Sequence, residues 1–161
     1  MKSEFSLVDK AIDCCRKAIQ RFYKEDYNLI EMNSSERSMV FRIALYINEI
    51  VSNDENLREY NIDCEYNRKN FNPKRIDSVC IIPDLLIHKR GTNKNLIAVE
   101  FKKSGNLLSH DKEKLSILTN QNGEYGYKAG LLIILAKKSF KIFEYYNGIL
   151  ENRYKEKISL I

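Results

Sequence analysis

The chain has 161 residues, 43% of them hydrophobic and 30% charged, with a formal net charge of +5. That describes one ordinary globular domain able to bury a sizeable core, with no internal repeat or low-complexity segment. No apolar run approaches the ~20 residues that span a bilayer, and the N-terminal MKSEFSLVDK has no apolar segment of signal-peptide type, so a cytoplasmic protein is expected.

In chain order, Phe5, Val8, Ile12, Cys15, Ile19 and Phe22 recur at spacings of three and four, which predicts an amphipathic helix over residues 4–24. Its charged outer face reads as solvated surface or as a dimer-forming arm. The connector EDYNLIEMNSS is read as loop with a short extended piece around residues 28–32. A second helix is predicted over residues 35–51, with Val40, Ile43, Ile47 and Ile50 as its apolar stripe. Glu36 stands one turn before Val40, at the start of that stripe. An acid in a first turn also suits the helix dipole, and Asn33, Ser34 or Ser35 can cap the helix. Arg37 and Arg42 read as surface or ion-pair residues, with Arg42 also a candidate phosphate contact.

IDCEYNRK is the expected first strand, with Asp63, Glu65 and Asn67 on one face and Ile62, Cys64 and Tyr66 on the other. Arg68 is a candidate partner for phosphate or for Glu65. In the basic loop NFNPKRIDS, Lys74 and Arg75 are candidate contacts to a nucleic-acid backbone, with plain solvation as the alternative.

Two mostly branched, apolar runs follow, CIIPDLLIH and NLIAVEFKK, joined by a basic turn. Asp84, Glu100 and Lys102 interrupt them. A charge inside a strand that favours burial is costly unless it is paired or bound to a metal. Glu100 and Lys102 share a face by alternation, and hairpin pairing brings Asp84 alongside Glu100. Two neighbouring carboxylates repel each other, and a divalent cation relieves that repulsion; oxygen ligands suit magnesium or manganese. Lys102 would then position a water and stabilise developing negative charge. That is the equipment for hydrolysing a phosphodiester. His88 falls four residues past Asp84, ~13 Å along the strand, and is read as a surface histidine at a strand end.

A helix is predicted over residues 111–119, with Asp111, Leu115 and Leu118 on one face. Lys114 is a candidate substrate contact or an i to i+3 partner of Asp111. YKAGLLIILAKK reads as a central strand, and Asn147-Gly148 as a two-residue hairpin turn. Cys14, Cys15, Cys64 and Cys80 include no CxxC pair, and with two histidines a structural zinc site is not expected; they read as reduced, mostly packed thiols.

Pro83-Asp84 followed by Glu100-Phe101-Lys102 resembles the signature of the PD-(D/E)xK nuclease superfamily, the restriction-endonuclease-like fold. SERSMVFRIALYI, NIDCEYNR, DKEKLSILT and YGYKAGLLIIL look like pieces of its small stand-alone bacterial members, so the likeness spans roughly residues 30–136. It implies an α/β fold with an α-β-β-β-α-β core and a mixed central sheet. To this the chain would add an N-terminal helix over about 4–24 and a C-terminal β-hairpin over about 139–156, around a core of about 33–136. It also implies Asp84, Glu100 and Lys102 as catalytic residues. Asp84, Glu100 and the Phe101 carbonyl would hold Mg2+ or Mn2+, and Glu36 could join them from the helix before the core. The expected partner is nucleic acid, DNA before RNA, with a homodimer or larger complex left open and no membrane. A different class of reading stays beside this one: a non-catalytic nucleic-acid-binding or protein-interaction module that retains the nuclease fold. A third is a plain structural domain in which Lys102 pairs with Glu100 or Asp84.

Overall fold

The computed structural model describes residues 4–69, 72–76, 79–106 and 108–159, apart from the side chains of residues 4–6, 76 and 79. The Phe5 side chain, and parts of the basic loop 70–78, therefore lie outside the described residues. Three helices come first: α1 (Glu4–Glu25), the single turn α2 (Asn28–Glu31) and α3 (Glu36–Asn53). Strands β1 (Asn61–Cys64), β2 (Arg75–Ile76), β3 (Val79–Cys80), β4 (Leu85–His88) and β5 (Asn95–Lys103) follow. The chain continues with α4 (Ser109–Thr119) and ends with β6 (Ala129–Ala136), β7 (Ser139–Tyr146) and β8 (Ile149–Lys157).

Among the described residues the protein is a mixed α/β structure built on an open six-stranded sheet in the order β1-β4-β5-β6-β7-β8. The β5–β6 pair is parallel and the other neighbours are antiparallel. A parallel pair needs a crossover, and α4 supplies it. The two sheet faces bury different helices. Leu85, Ile87, Val99, Phe101, Leu131 and Ile133 pack into a core with α1 and α3. Leu86, Ala98 and Leu132 pack with Leu115 and Leu118 of α4. Burying one such aliphatic side chain contributes roughly 1.5–3 kcal/mol, so this alternation fixes which face each strand residue takes. Gly130 lets α4 approach: a Cβ there would lie 2.9 Å from Thr119 Cγ2.

Three local readings change. Residues 28–32 are not extended, because α2 forms a helical turn whose amides at Ile30 and Met32 bond back to Tyr27 and Asn28. The first core strand is short: Glu65 sits at φ 51° and ends β1 at Cys64. The run 80–88 is likewise not one strand. Pro83 lacks an N–H and restrains Ile82, so Cys80 belongs to a two-stranded ladder with β2 while β4 begins only at Leu85. The C-terminal hairpin turns on Asn147 (φ 46°) and Gly148 (φ 81°), the pair of positive φ values that a tight two-residue turn requires.

Candidate active site at the end of the central strands

Asp84 lies one residue before β4, on the register that pairs Leu85 with Val99 and so sets it against Glu100. Its Oδ2 accepts the Phe101 amide at 2.7 Å. Burial raises its pKa and outweighs that hydrogen bond and the nearby Lys114 and Lys102. Glu100, on the same α4-facing side of the sheet, is fully buried. Burial first and the Asp84 charge second push its carboxyl up to about 9. Lys114 Nζ donates to Glu100 Oε2 at 2.7 Å, while Glu100 Oε1 is buried with no hydrogen-bond partner among the described residues. An orphaned oxygen on a buried acid leaves its full desolvation cost uncompensated.

Lys102 continues this face toward solvent. Its Nζ lies 3.2 Å from Glu36 Oε1 and 3.5 Å from Asp111 Oδ2. Burial alone would lower its pKa, yet Asp111 and Glu36 outweigh burial and hold it above the usual lysine value. Glu36 reaches the site because Ser35 caps α3, its Oγ accepting the Ser38 amide at 3.2 Å. The first-turn carboxylate then projects onto the end of β5, where Oε2 accepts the Lys103 amide at 3.0 Å. Asp111, 4% exposed, stands between the two lysines, 3.5 Å from Lys114 Nζ as from Lys102 Nζ.

The structure thus brings together Asp84, Glu100, Lys102, Glu36 and Lys114. Asp111 enters this cluster in a role that sequence reasoning gave it only as a helix-surface partner of Lys114. Its signal was an acid on the apolar face that carries Leu115 and Leu118. Among the described residues no three His, Cys, Asp or Glu side chains gather tightly enough to hold a metal by themselves. The carboxylate oxygen left open to a cation is Glu100 Oε1, beside Asp84, whereas both Glu36 oxygens are engaged by Lys102 Nζ and the Lys103 amide. A cleft of about 540 Å3 opens onto this end of the sheet, lined by Glu36, Asp84, Arg37, Val40, Phe41 and Cys64 among others.

The remaining candidates lie elsewhere. Arg42 is held by Asp26 at 3.1 Å and by the Tyr46 hydroxyl. Arg68 is exposed and lines a small recess with Lys69 and His88. Arg75 is anchored through its backbone, its N–H donating to the Tyr125 hydroxyl at 2.7 Å. Lys74 is a correction. Its side chain, expected in solvent, is 2% exposed, with Nζ over the rings of Tyr66 and Tyr127 at 5.0 and 5.7 Å. Burial pulls its amine down to about 8, and this position does not offer it to a nucleic-acid backbone. His88 is the second correction. It is 4% exposed, bonded through Nε2 to Asp63 at 2.8 Å and set edge-on to Tyr66. Of the four cysteines, Cys14 and Cys15 are buried and Cys64 and Cys80 are exposed.

No protein-family model matches the chain, and no curated protein matches it. A solved structure, "Crystal structure of SSO0001", aligns over 96% of this chain and 68% of its own, at 14% identity and a TM-score of 0.33. So distant a likeness carries no argument about fold or activity. Among the described residues no helix is long and apolar enough to cross a membrane.

Proposed function

We propose that the protein is a metal-dependent nuclease of the PD-(D/E)xK type, with the restriction-endonuclease-like topology, hydrolysing phosphodiester bonds, DNA before RNA. The observation that carries this reading is the buried Asp84–Glu100 pair, both carboxyls raised and Glu100 Oε1 without a partner. Evolution of a purely structural core would favour an apolar residue over such a group. Asp84 and Glu100, with the Phe101 carbonyl, would hold magnesium or manganese, which when bound supplies Lewis-acid polarisation of the scissile phosphate, and Glu36 would join them only by releasing Lys102 and the Lys103 amide. Lys102 keeps an ammonium beside the carboxylates, restrained by Glu36 and Asp111, where it would orient the attacking water and screen the phosphate. Lys114 donates to the buried Glu100 and favours its ionised form against burial. The net charge of +5 suits a polyanionic substrate.

A second reading has its own observation. Lys114 with Glu100, and Lys102 with Glu36 and Asp111, form an ion-pair network that balances most of the site's charge internally. A non-catalytic binding module that retained the fold would have such a network. Cleavage of labelled DNA and RNA, with magnesium, with manganese and with chelator, separates the two. Metal-dependent cutting by the native protein and none by Lys102→Ala, purified in parallel, is the expected result. Metal-independent binding without turnover would favour the binding module.

A further inference from the structure

The mouth of the cleft is unlike its floor. Phe41 is 58% exposed and Leu45, one turn further along α3, is 43% exposed, so the helix presents an uncovered apolar strip that leads to the carboxylates. Phe41, Val40 and Cys64 line the same cleft as Asp84 and Glu36. Among the described residues that line the cleft, Arg37 is the one cation, and it extends into solvent at 2.8 Å from Glu65. An uncovered ring beside Val40 and Cys64, in a cleft whose other lining includes Glu36, Glu65 and Asp84, suits the face of a base better than a phosphate, which those carboxylates repel.

We propose that this cleft seats an unpaired nucleobase stacked on Phe41, so that the protein takes single-stranded or frayed nucleic acid in preference to intact duplex. The inference rests on the nucleic-acid reading above, but not on turnover. In a duplex both faces of each base are already stacked, and the ring has nothing to cover. In a single strand the base offers a free face, and a cleft of about 540 Å3 is roughly the size of pocket that holds a small ligand. Stacking of one base on one aromatic ring is tolerant of base identity, which predicts strand-type preference without sequence preference.

The test is fluorescence anisotropy of labelled 12-residue single strands and matching duplexes with the full chain in chelator, where binding is read without cutting. Phe41→Leu keeps apolar volume and removes the ring; Phe41→Tyr keeps the ring. The native chain and Phe41→Tyr should bind single strands more tightly than duplex. Phe41→Leu should lose about fivefold or more on single strands, the effect of one stack, and nothing on duplex. A 2-aminopurine base in the strand should be quenched by the native chain and less by Phe41→Leu. Equal losses on both strand types, no loss, or no binding by the native chain would overturn the proposal. So would conversion of a dimer to a monomer by Phe41→Leu in light scattering, which would make the strip a contact between copies. Cutting of duplex with Phe41 indifferent would leave the nuclease reading standing and sink this one. Phe41-dependent strand binding without any cutting would do the reverse.

Discussion

The two ends of β4 carry two polar clusters, and they solve the same problem in opposite ways. At the His88 end, Asp63 accepts hydrogen bonds from His88 at 2.8 Å and from Arg90 Nε at 2.7 Å, with a second bond from Arg90 Nη2. Burial would raise the Asp63 pKa, but the bonds from Arg90 and His88 outweigh it and hold the carboxyl below its usual value. At the Asp84 end the balance reverses. Burial wins at both Asp84 and Glu100, and one oxygen of Glu100 has no partner. The Tyr127 hydroxyl near the His88 end is also unpartnered, but burial raises its pKa further above neutrality and it carries no charge to resolve, whereas burial shifts Glu100 against its ordinary ionised state. A closed cluster holds the edge of the sheet together. An open one keeps unspent electrostatic demand where a ligand could meet it, which is how functional sites concentrate perturbed groups.

Substitutions at the two ends should act in different ways. The largest effect is expected for Lys102→Ala. It should lower metal-dependent cleavage by at least ~10²-fold, as loss of a positioned charge does, with an unchanged circular dichroism spectrum. Undiminished cleavage would remove Lys102 from the reaction. Asp111→Asn comes next. Breaking a buried ion pair costs about 3–5 kcal/mol. Because both lysines keep another carboxylate, the expected loss in a urea titration is near the lower end, about 3 kcal/mol. An unchanged midpoint would mean the network does not depend on Asp111.

Glu100→Gln should act in the opposite sense and reveal itself through pH. The unfolded glutamate loses its proton near 4.5, whereas the folded one holds it to about 9. Between those values the folded state binds more protons than the unfolded state, so this group subtracts stability as pH rises. The variant should match the native chain near pH 4 and exceed it by up to about 5 kcal/mol near pH 8, while cleavage is lost. Equal stability at both pH values would mean that Glu100 is ionised in its pair with Lys114.

The closed end predicts the mirror image. Asp63 is held low and stabilises above its usual titration range. His88 is held low and neutral, chiefly by burial, although its bond to Asp63 opposes this. Both therefore cost stability as pH falls, through the histidine range for His88 and then the carboxylate range for Asp63. Asp63→Asn should lose about 2 kcal/mol at neutral pH, the worth of a charge-assisted hydrogen bond, and should show a shallower acid limb. Last, Arg37→Ala breaks a pair whose side chains are 83% and 53% exposed, and no change in unfolding midpoint is expected.

Sequence periodicity sufficed for the long elements. The stripe from Val8 to Phe22 is α1, the one from Val40 to Ile47 is α3, NLIAVEFKK is β5, and Asn147-Gly148 closes a hairpin. Alternation also gave the shared face of Glu100 and Lys102, and antiparallel pairing put Asp84 opposite Glu100. These follow from repeats of two and 3.6 residues, which any reader of the chain can count. The short strands were harder to read, because Pro83 and a left-handed Glu65 cut β4 and β1 to four residues each.

What the tertiary structure alone decided is which charges meet. Lys74 looks like a loop cation in the sequence and is buried against two tyrosine rings, Tyr66 eight residues before it and Tyr127 from the segment before β6. His88 looks like a strand end and is buried, because β1 supplies Asp63 from 25 residues away. Lys114 takes Glu100 and Lys102 takes Glu36, partners 14 and 66 residues apart in the chain. Local pattern can place a charge on a face of one element. Its partner, its burial and so its pKa depend on which other elements pack over that face, and those contacts come from distant parts of the chain.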